Sequence, residues 1–296
     1  MEVSDMTWYE IWMKERMAKG AETNREFYAM PSTKAIAPFR IADDLYYVGD
    51  KKVCAHLIRT DEGLILIDAG YPEAKHLLWE SIIRLGFDPA DVRWIILTHG
   101  HSDHYGAANE FRNLYGTKVA ISAADAEYLR GRVSCGKQSP LKTPVIDREL
   151  QDGEIFSFGG KEIRCVVTPG HTLGVMTFFM DVTDGGKTYR AGLLGGVGHD
   201  QVRLPYLLYV NLPLDMPQRM LASLDAMEKE KVEIHLGNHP ANNRTLEKRE
   251  QQLREGGNPF IDPESWGRFI AQTRVLFEQV ILDNAELAKQ HPEDIR

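Results

Sequence analysis

Trp94-Ile95-Ile96-Leu97-Thr98-His99-Gly100-His101-Ser102-Asp103-His104-Tyr105-Gly106 sets three histidines and an aspartate directly behind a short apolar run. Val92, Ile95, Ile96 and Leu97 read as a buried strand, and Ala107 to Leu114, stopped by Gly116, as a helix. His99, His101, Asp103 and His104 therefore fall on the turn between the two. In extended backbone the side chains of residues two apart share a side, so His99 and His101 can reach one cation. Asp103 and His104 enter the helix and point toward a second, neighbouring position. Imidazole with carboxylate suits zinc, and two such cations sharing one water generate a hydroxide nucleophile at neutral pH.

Upstream of this stretch, Leu45 to Val48, Val53 to Ile58 and Leu64 to Ile67 read as short strands, with turns at Gly49-Asp50 and Asp61-Glu62-Gly63. This meander leads to Asp68-Ala69-Gly70, and a helix over Glu73 to Leu85 closes at Gly86. Downstream come a strand over Thr117 to Ile121 and a short helix over Ala123 to Leu129. Residues 131 to 150 lack periodicity and read as a loop. Glu154 to Phe158, Glu162 to Val167, Val175 to Val182 and Thr188 to Leu194 give four more strands, with Asp184-Gly185-Gly186 as a hairpin turn. Residues 196 to 213 read as another loop. Asp215 with Gln218 forms a capping-box pattern before Met220, Leu224 and Met227. A strand over Val232 to Leu236 runs into Gly237-Asn238-His239-Pro240, and Asp262-Pro263 opens a last helix carrying Trp266, Phe269, Ile270 and Phe277. The order predicts an α/β fold in which two mixed sheets pack face to face with helices outside.

The 296 residues with 43% apolar content suffice for one large core. A formal charge of −8 and the lack of a Lys/Arg block argue against a nucleic-acid partner. Cys54, Cys135 and Cys165 are odd in number and show no Cys-x-x-Cys spacing, so they read as reduced thiols, mostly buried. Residues 1–37, with a helix over 6 to 19 carrying Trp8, Ile11, Trp12 and Met17, are read as a helical arm packed on the core; a lid over the site and a dimer contact are the alternatives. Residues 38–296 are expected to form one catalytic domain. Glu10, Lys14, Glu15 and Arg16 break any signal-peptide core, and no run of eighteen apolar residues occurs. The expectation is a cytoplasmic protein without a membrane partner, or a periplasmic or secreted one if a leader has been removed. A small-molecule substrate is expected, and a homo-oligomer is compatible.

Two further histidines stand where a strand meets a turn: His171 in Thr-Pro-Gly-His-Thr and His239 in Leu-Gly-Asn-His-Pro. With Thr-His-x-His-x-Asp-His ahead of them, the chain resembles the metallo-β-lactamase superfamily over about residues 38 to 290. The resemblance implies an αββα sandwich holding two zinc ions, the first on His99, His101 and His171 and the second on Asp103, His104 and His239. Glyoxalase II, the lactonases, ribonuclease Z and the di-iron members carry a bridging aspartate in a Gly-Asp pair after the strand that here ends Ala191-Gly192-Leu193-Leu194. In this chain the pair is Gly195-Gly196. A missing bridging carboxylate with no cysteine ligand looks like the third subclass of metallo-β-lactamases, and Asn-Pro-Phe-Ile-Asp-Pro from Asn258 is similar to that subclass. The resemblance further implies that a zinc-bridging hydroxide attacks a carbonyl polarised by the first zinc, with Asp103 as the catalytic residue orienting it and the second zinc stabilising the departing amide nitrogen.

Asp68, at its strand end, is the candidate for fixing the tautomer of a ligand histidine. His199 and Tyr209 are candidate substrate contacts; Asp200 and Tyr206 lie beside them, and loop packing is the bland reading for all four. His56, His76, His235 and His291 read as structural or surface residues. The function expected is hydrolysis of a β-lactam or similar cyclic amide. A lactone or thioester hydrolase with promiscuous β-lactamase activity is the alternative, and a redox iron protein or a non-catalytic metal module a remoter one. The redox reading suffers from His101, where di-iron flavoproteins carry glutamate, and from Gly196. The non-catalytic reading would need a broken ligand set.

Overall fold

Leu64-Ile65-Leu66-Ile67 has no polar alternation because both faces of its sheet are covered. In the computed structural model, which describes residues 6–131 and 142–295, Ile65 and Ile67 point to a second sheet while Leu64 and Leu66 face helices. The first sheet runs in sequence order: β1 (Phe39–Ala42), β2 (Leu45–Tyr47), β3 (His56–Thr60), β4 (Gly63–Ile67), β5 (Val92–Ile96), β6 (Lys118–Ser122) and β7 (Arg148–Leu150). β1 to β4 pair antiparallel, and β4 to β7 pair parallel. The second sheet contains β8 (Ile155–Phe158), β9 (Lys161–Val167), β10 (Met176–Asp184), β11 (Lys187–Leu194) and β12 (Ile234–Leu236), ordered β12-β11-β10-β9-β8. Its one parallel pair among the described strands is β11 with β12. This is the two-sheet sandwich that the alternation predicts.

The helices are α1 (Trp8–Thr23), α2 (Arg25–Ala29), α3 (Lys75–Arg84), α4 (Ser102–Tyr105), α5 (Ala108–Tyr115), α6 (Ala123–Leu129), α7 (Leu204–Val210), α8 (Met216–Met227), α9 (Pro240–Asn243), α10 (Thr245–Glu255) and α11 (Ser265–Gln290). Between the sheets, Ile65, Ile67 and Ile96 meet Ile163, Met176, Phe178 and Leu193. Outside the first sheet, Leu66, Ile95 and Val119 pack on Leu78 and Ile82 of α3 and Phe111 of α5. Outside the second, Phe179 and Leu194 pack on Met220 and Leu224 of α8 and on Trp266, Ile270 and Phe277 of α11. Each fully buried large side chain is worth about 1.5–3 kcal/mol, so these clusters hold the layers together. Gly116 ends α5 at φ 72°, a left-handed conformation that spares glycine the Cβ clash.

Several local expectations differ. Residues 132–141 of the loop foreseen over 131–150, with Cys135, lie outside the described residues, and Arg148–Leu150 pairs with β6 as the sheet's edge strand. Three residues are too short for a periodicity signal. The 196–213 stretch is not a plain loop. It contains a 3-10 turn over His199–Val202 and helix α7, begun by Pro205 in its first turn and closed by left-handed Asn211. α9 and α10 occupy a region with no foreseen helix. The Asp215–Gln218 capping box does not form. Pro217 removes a donor from the first turn, and the Asp215 carboxylate instead accepts from Arg219 Nε at 2.9 Å. α1 extends to Thr23, capped at its start by Thr7 and Glu10 in a true capping box. Among the described residues no helix is long and apolar enough to cross a membrane.

Candidate metal centre

Parallel pairing of β4 with β5, in register Ile67 to Ile96, brings Asp68 beside Leu97-Thr98 at one edge of the sandwich. His99 follows at once, and His101 stands just before α4, which carries Asp103 and His104. His171 belongs to the turn between β9 and β10. That turn is fastened across the sheets where the Met176 N–H donates to the Thr98 carbonyl at 2.9 Å. His239 precedes α9, and the Asn238 amide beside it donates to the Gly195 carbonyl after β11.

The six ligand candidates form two adjoining triads. His99 Nε2 and His171 Nε2 each lie 3.0 Å from His101 Nδ1. Asp103 Oδ2 lies 3.4 Å from His104 Nε2 and 3.8 Å from His239 Nε2. Within each triad all ligand atoms fall within 4.8 Å of one another. A tetrahedral cation with bonds of about 2.1 Å sets its ligand atoms about 3.4 Å apart, so both triads have the right size. His99 and His104, one from each triad, have ring centroids 4.2 Å apart.

The outer nitrogens decide which ring atoms are free to bind. His171 Nδ1 donates to the Gly198 carbonyl at 3.0 Å, and His239 Nδ1 to the Lys52 carbonyl at 2.7 Å. His104 Nδ1 lies 2.7 Å from Asp68 Oδ2. The Thr98 hydroxyl donates to that same oxygen at 2.8 Å and accepts from His99 Nδ1 at 3.0 Å. In these four rings the proton sits outside, leaving the inner nitrogen its lone pair. Asp68 also accepts the Thr98 N–H at 2.8 Å and holds φ 59°, a left-handed backbone uncommon outside glycine.

Charge supports the same arrangement. Burial, reinforced by neighbouring imidazoles, holds His99 and His171 well below the usual histidine range. Burial takes His101 down to about 4 and lowers His239. These rings are neutral near pH 7, as ligands must be. His104 differs: burial pulls it down, but Asp103 and Asp68 outweigh that and raise it to about 10. Burial alone would raise Asp103, yet His104, His239 and His101 hold its carboxyl well below the usual range. His104 Nε2 is buried and has no hydrogen-bond partner. Without a metal the two carboxylates draw a proton onto Nε2, 3.4 Å from Asp103 Oδ2, and a cation bound there would take that proton's place.

A cavity of about 540 Å³ opens over His101, Asp103, His104, His171 and His239. Its walls include Tyr71, His199, Gln201, Asn242, Gln272 and Leu276. Of the two candidate substrate contacts, His199 lines this cavity and Tyr209 does not. Helix α7 turns Tyr206 instead toward a smaller pocket of about 30 Å³ behind His101 and His171, shared with Tyr128, Leu173 and Leu212. Asp200 binds Arg16 of α1, and His235 lies buried against Ser265. Sequence reading missed Tyr71 and the α11 residues, which carry no motif. It also missed Asp125, a buried carboxylate that accepts the Gly100 N–H at 2.8 Å. At Gly196 a Cβ would stand 2.7 Å from His171 Cδ2, so the backbone there passes close to that ring.

Comparison with known proteins agrees with this geometry. The metallo-beta-lactamase superfamily model matches residues 48–184. BJP-1, a subclass B3 metallo-beta-lactamase of Bradyrhizobium japonicum, superposes with a TM-score of 0.78 at 26% identity, covering 86% of this chain and 97% of that one. A hydroxyacylglutathione hydrolase of Acidiphilium cryptum (strain JF-5) is 34% identical over 85 residues, 29% of each protein. An N-acyl homoserine lactonase of Bacillus thuringiensis is 25% identical over 158 residues, 46% of this chain and 60% of the lactonase. The match thus spans less than two thirds of either curated relative.

Proposed function

We propose that this chain, which belongs to the metallo-β-lactamase superfamily, is a di-zinc hydrolase that opens a β-lactam or a similar strained cyclic amide. The observation carrying the reading is the pair of adjoining triads, five histidines and Asp103, with glycine at 196 pressed on His171. A side chain there would have to displace that ring. Two zinc ions on the triads would supply a Lewis acid for the carbonyl and an activated water at neutral pH. The protein's share is orientation. Asp103, directed at both His104 and His239, is placed to accept a hydrogen bond from a water held between the triads and so to aim it. Asp68, Thr98 and the carbonyls of Lys52 and Gly198 keep the four outer protons away from the centre. Gln201, Asn242, Gln272 and His199 line the cavity with polar atoms for the substrate's polar groups, and Leu276 offers an apolar contact.

A second reading, hydrolysis of a lactone or thioester, is supported by the activities named for the two curated relatives. Metal analysis of the purified protein, followed by assay on penicillins, cephalosporins, carbapenems, lactones and thioesters, separates the two. The expected result is two zinc ions per chain and β-lactam opening that chelation abolishes. Thioester or lactone turnover with every β-lactam left intact would reject the first reading in favour of the second.

A further inference from the structure

We infer that Asp125 is the positioning residue of the first triad, tying the turn that carries His99 and His101 to the turn that carries His171. The inference rests on the di-metal reading above. Asp125 lies near the start of α6 and is 1% exposed. Its Oδ2 accepts the Gly100 N–H and the Thr172 hydroxyl, both at 2.8 Å, and its Oδ1 accepts the Gly174 N–H at 2.8 Å. Gly100 separates His99 from His101, and Thr172 follows His171 directly. One carboxylate therefore grips both turns, and the gap it fixes is the 3.0 Å separation of His101 Nδ1 from His171 Nε2.

The local sequence is built for this grip. A Cβ on Gly174 would stand 2.6 Å from Asp125 Oδ1, and one on Gly100 would stand 2.6 Å from the Tyr128 ring. Both glycines let backbone N–H groups approach where a side chain would block them. The Ser122 hydroxyl accepts from the Asp125 N–H at 3.2 Å, so the clamp is anchored to β6. None of its three hydrogen bonds reaches α4, which carries Asp103 and His104, or the turn bearing His239. Loss of the carboxylate should therefore loosen one triad and spare the other.

The experiment measures zinc binding of the full chain by competition with a chromophoric chelator, alongside urea unfolding of the metal-free protein. Wild type should show two equivalents. In Asp125→Asn one oxygen remains for donors that need two, and one equivalent should weaken about 10- to 100-fold while the other holds. Thr172→Val should weaken the same equivalent, and Thr172→Ser, which keeps the hydroxyl, should match wild type. Both equivalents weakening together in step with lost stability, or neither changing, would overturn the inference. If Asp125→Asn does not fold, the Thr172 pair decides: valine weaker than serine at one equivalent supports the clamp, and equality overturns it. Wild type binding no zinc would instead reject the metal reading itself, and the inference with it.

Discussion

Replacing Asp68 by asparagine separates what that residue does for the fold from what it does for the metal centre. Its carboxylate accepts from Thr98 N–H, from the Thr98 hydroxyl and from His104 Nδ1, at 2.7 to 2.8 Å. An amide has one oxygen, so it must choose. With the nitrogen at the Oδ1 position it would face the Thr98 N–H head-on, leaving a buried donor unpaired at about 1–3 kcal/mol. With the nitrogen at the Oδ2 position, the Thr98 hydroxyl turns to accept, and the amide donates to His104 Nδ1. That second arrangement is the cheaper one, and it moves the imidazole proton to Nε2, the atom aimed at the second cation. Asp68→Asn should therefore fold with a loss of no more than about 1–3 kcal/mol in urea unfolding. It should bind the second zinc at least about tenfold more weakly by chelator competition. Asp68→Ala, which abandons Thr98 N–H and the His104 proton together, should cost about 2–6 kcal/mol, a large part of a typical domain's stability. Asparagine is among the residues that tolerate the left-handed backbone, so the φ of 59° does not confound the first variant. An Asp68→Asn protein binding both zinc equivalents as tightly as wild type would refute the tautomer argument.

Other outcomes follow from the same geometry. His101→Ala removes the nitrogen shared by both 3.0 Å contacts of the first triad, so hydrolysis should fall at least about 1,000-fold while circular dichroism and melting stay near wild type. Gly196→Asp should not install a working bridging ligand: its Cβ would press on His171 Cδ2 at 2.7 Å, and the expected effect, read by chelator competition, is weaker binding at the first triad. Phe111→Ala, on the buried face of α5 at 0% exposure and stacked on Trp79 at 4.0 Å, should lower unfolding free energy by about 3–5 kcal/mol in urea without changing zinc stoichiometry.

Much of the fold was legible because apolar patterning and turn residues are local signals. The long buried strands and the helices ending at Gly86 and Gly116 matched their expected places within a few residues. What failed was short or conditional. β7 has three residues, and α7 depends on Leu204, Leu207 and Val210 finding a buried surface that the sequence does not announce. The Asp215 cap had the right letters, yet a proline two residues on and an arginine four residues on changed what its carboxylate could do. Tyr209 and Tyr206 show the same dependence. Adjacent turns of a helix nobody could read from seven residues sent one toward the small pocket and left the other out of both cavities beside the triads.

The sequence by itself determined the donor set. His99, His101, Asp103 and His104 are fixed relative to one another by strand and helix periodicity within six residues, and the glycine at 196 is visible in the letters. Only the tertiary structure decided that His171 and His239 close the two triads, that Asp68 faces His104, and that Asp125 spans two turns. Those meetings depend on strand register and on one sheet's distance from the other, with Thr98 hydrogen-bonded to Met176 across the sandwich. Local periodicity sets which way a side chain points. It carries no information about which distant strand end will stand opposite, because that is settled by how two buried faces pack.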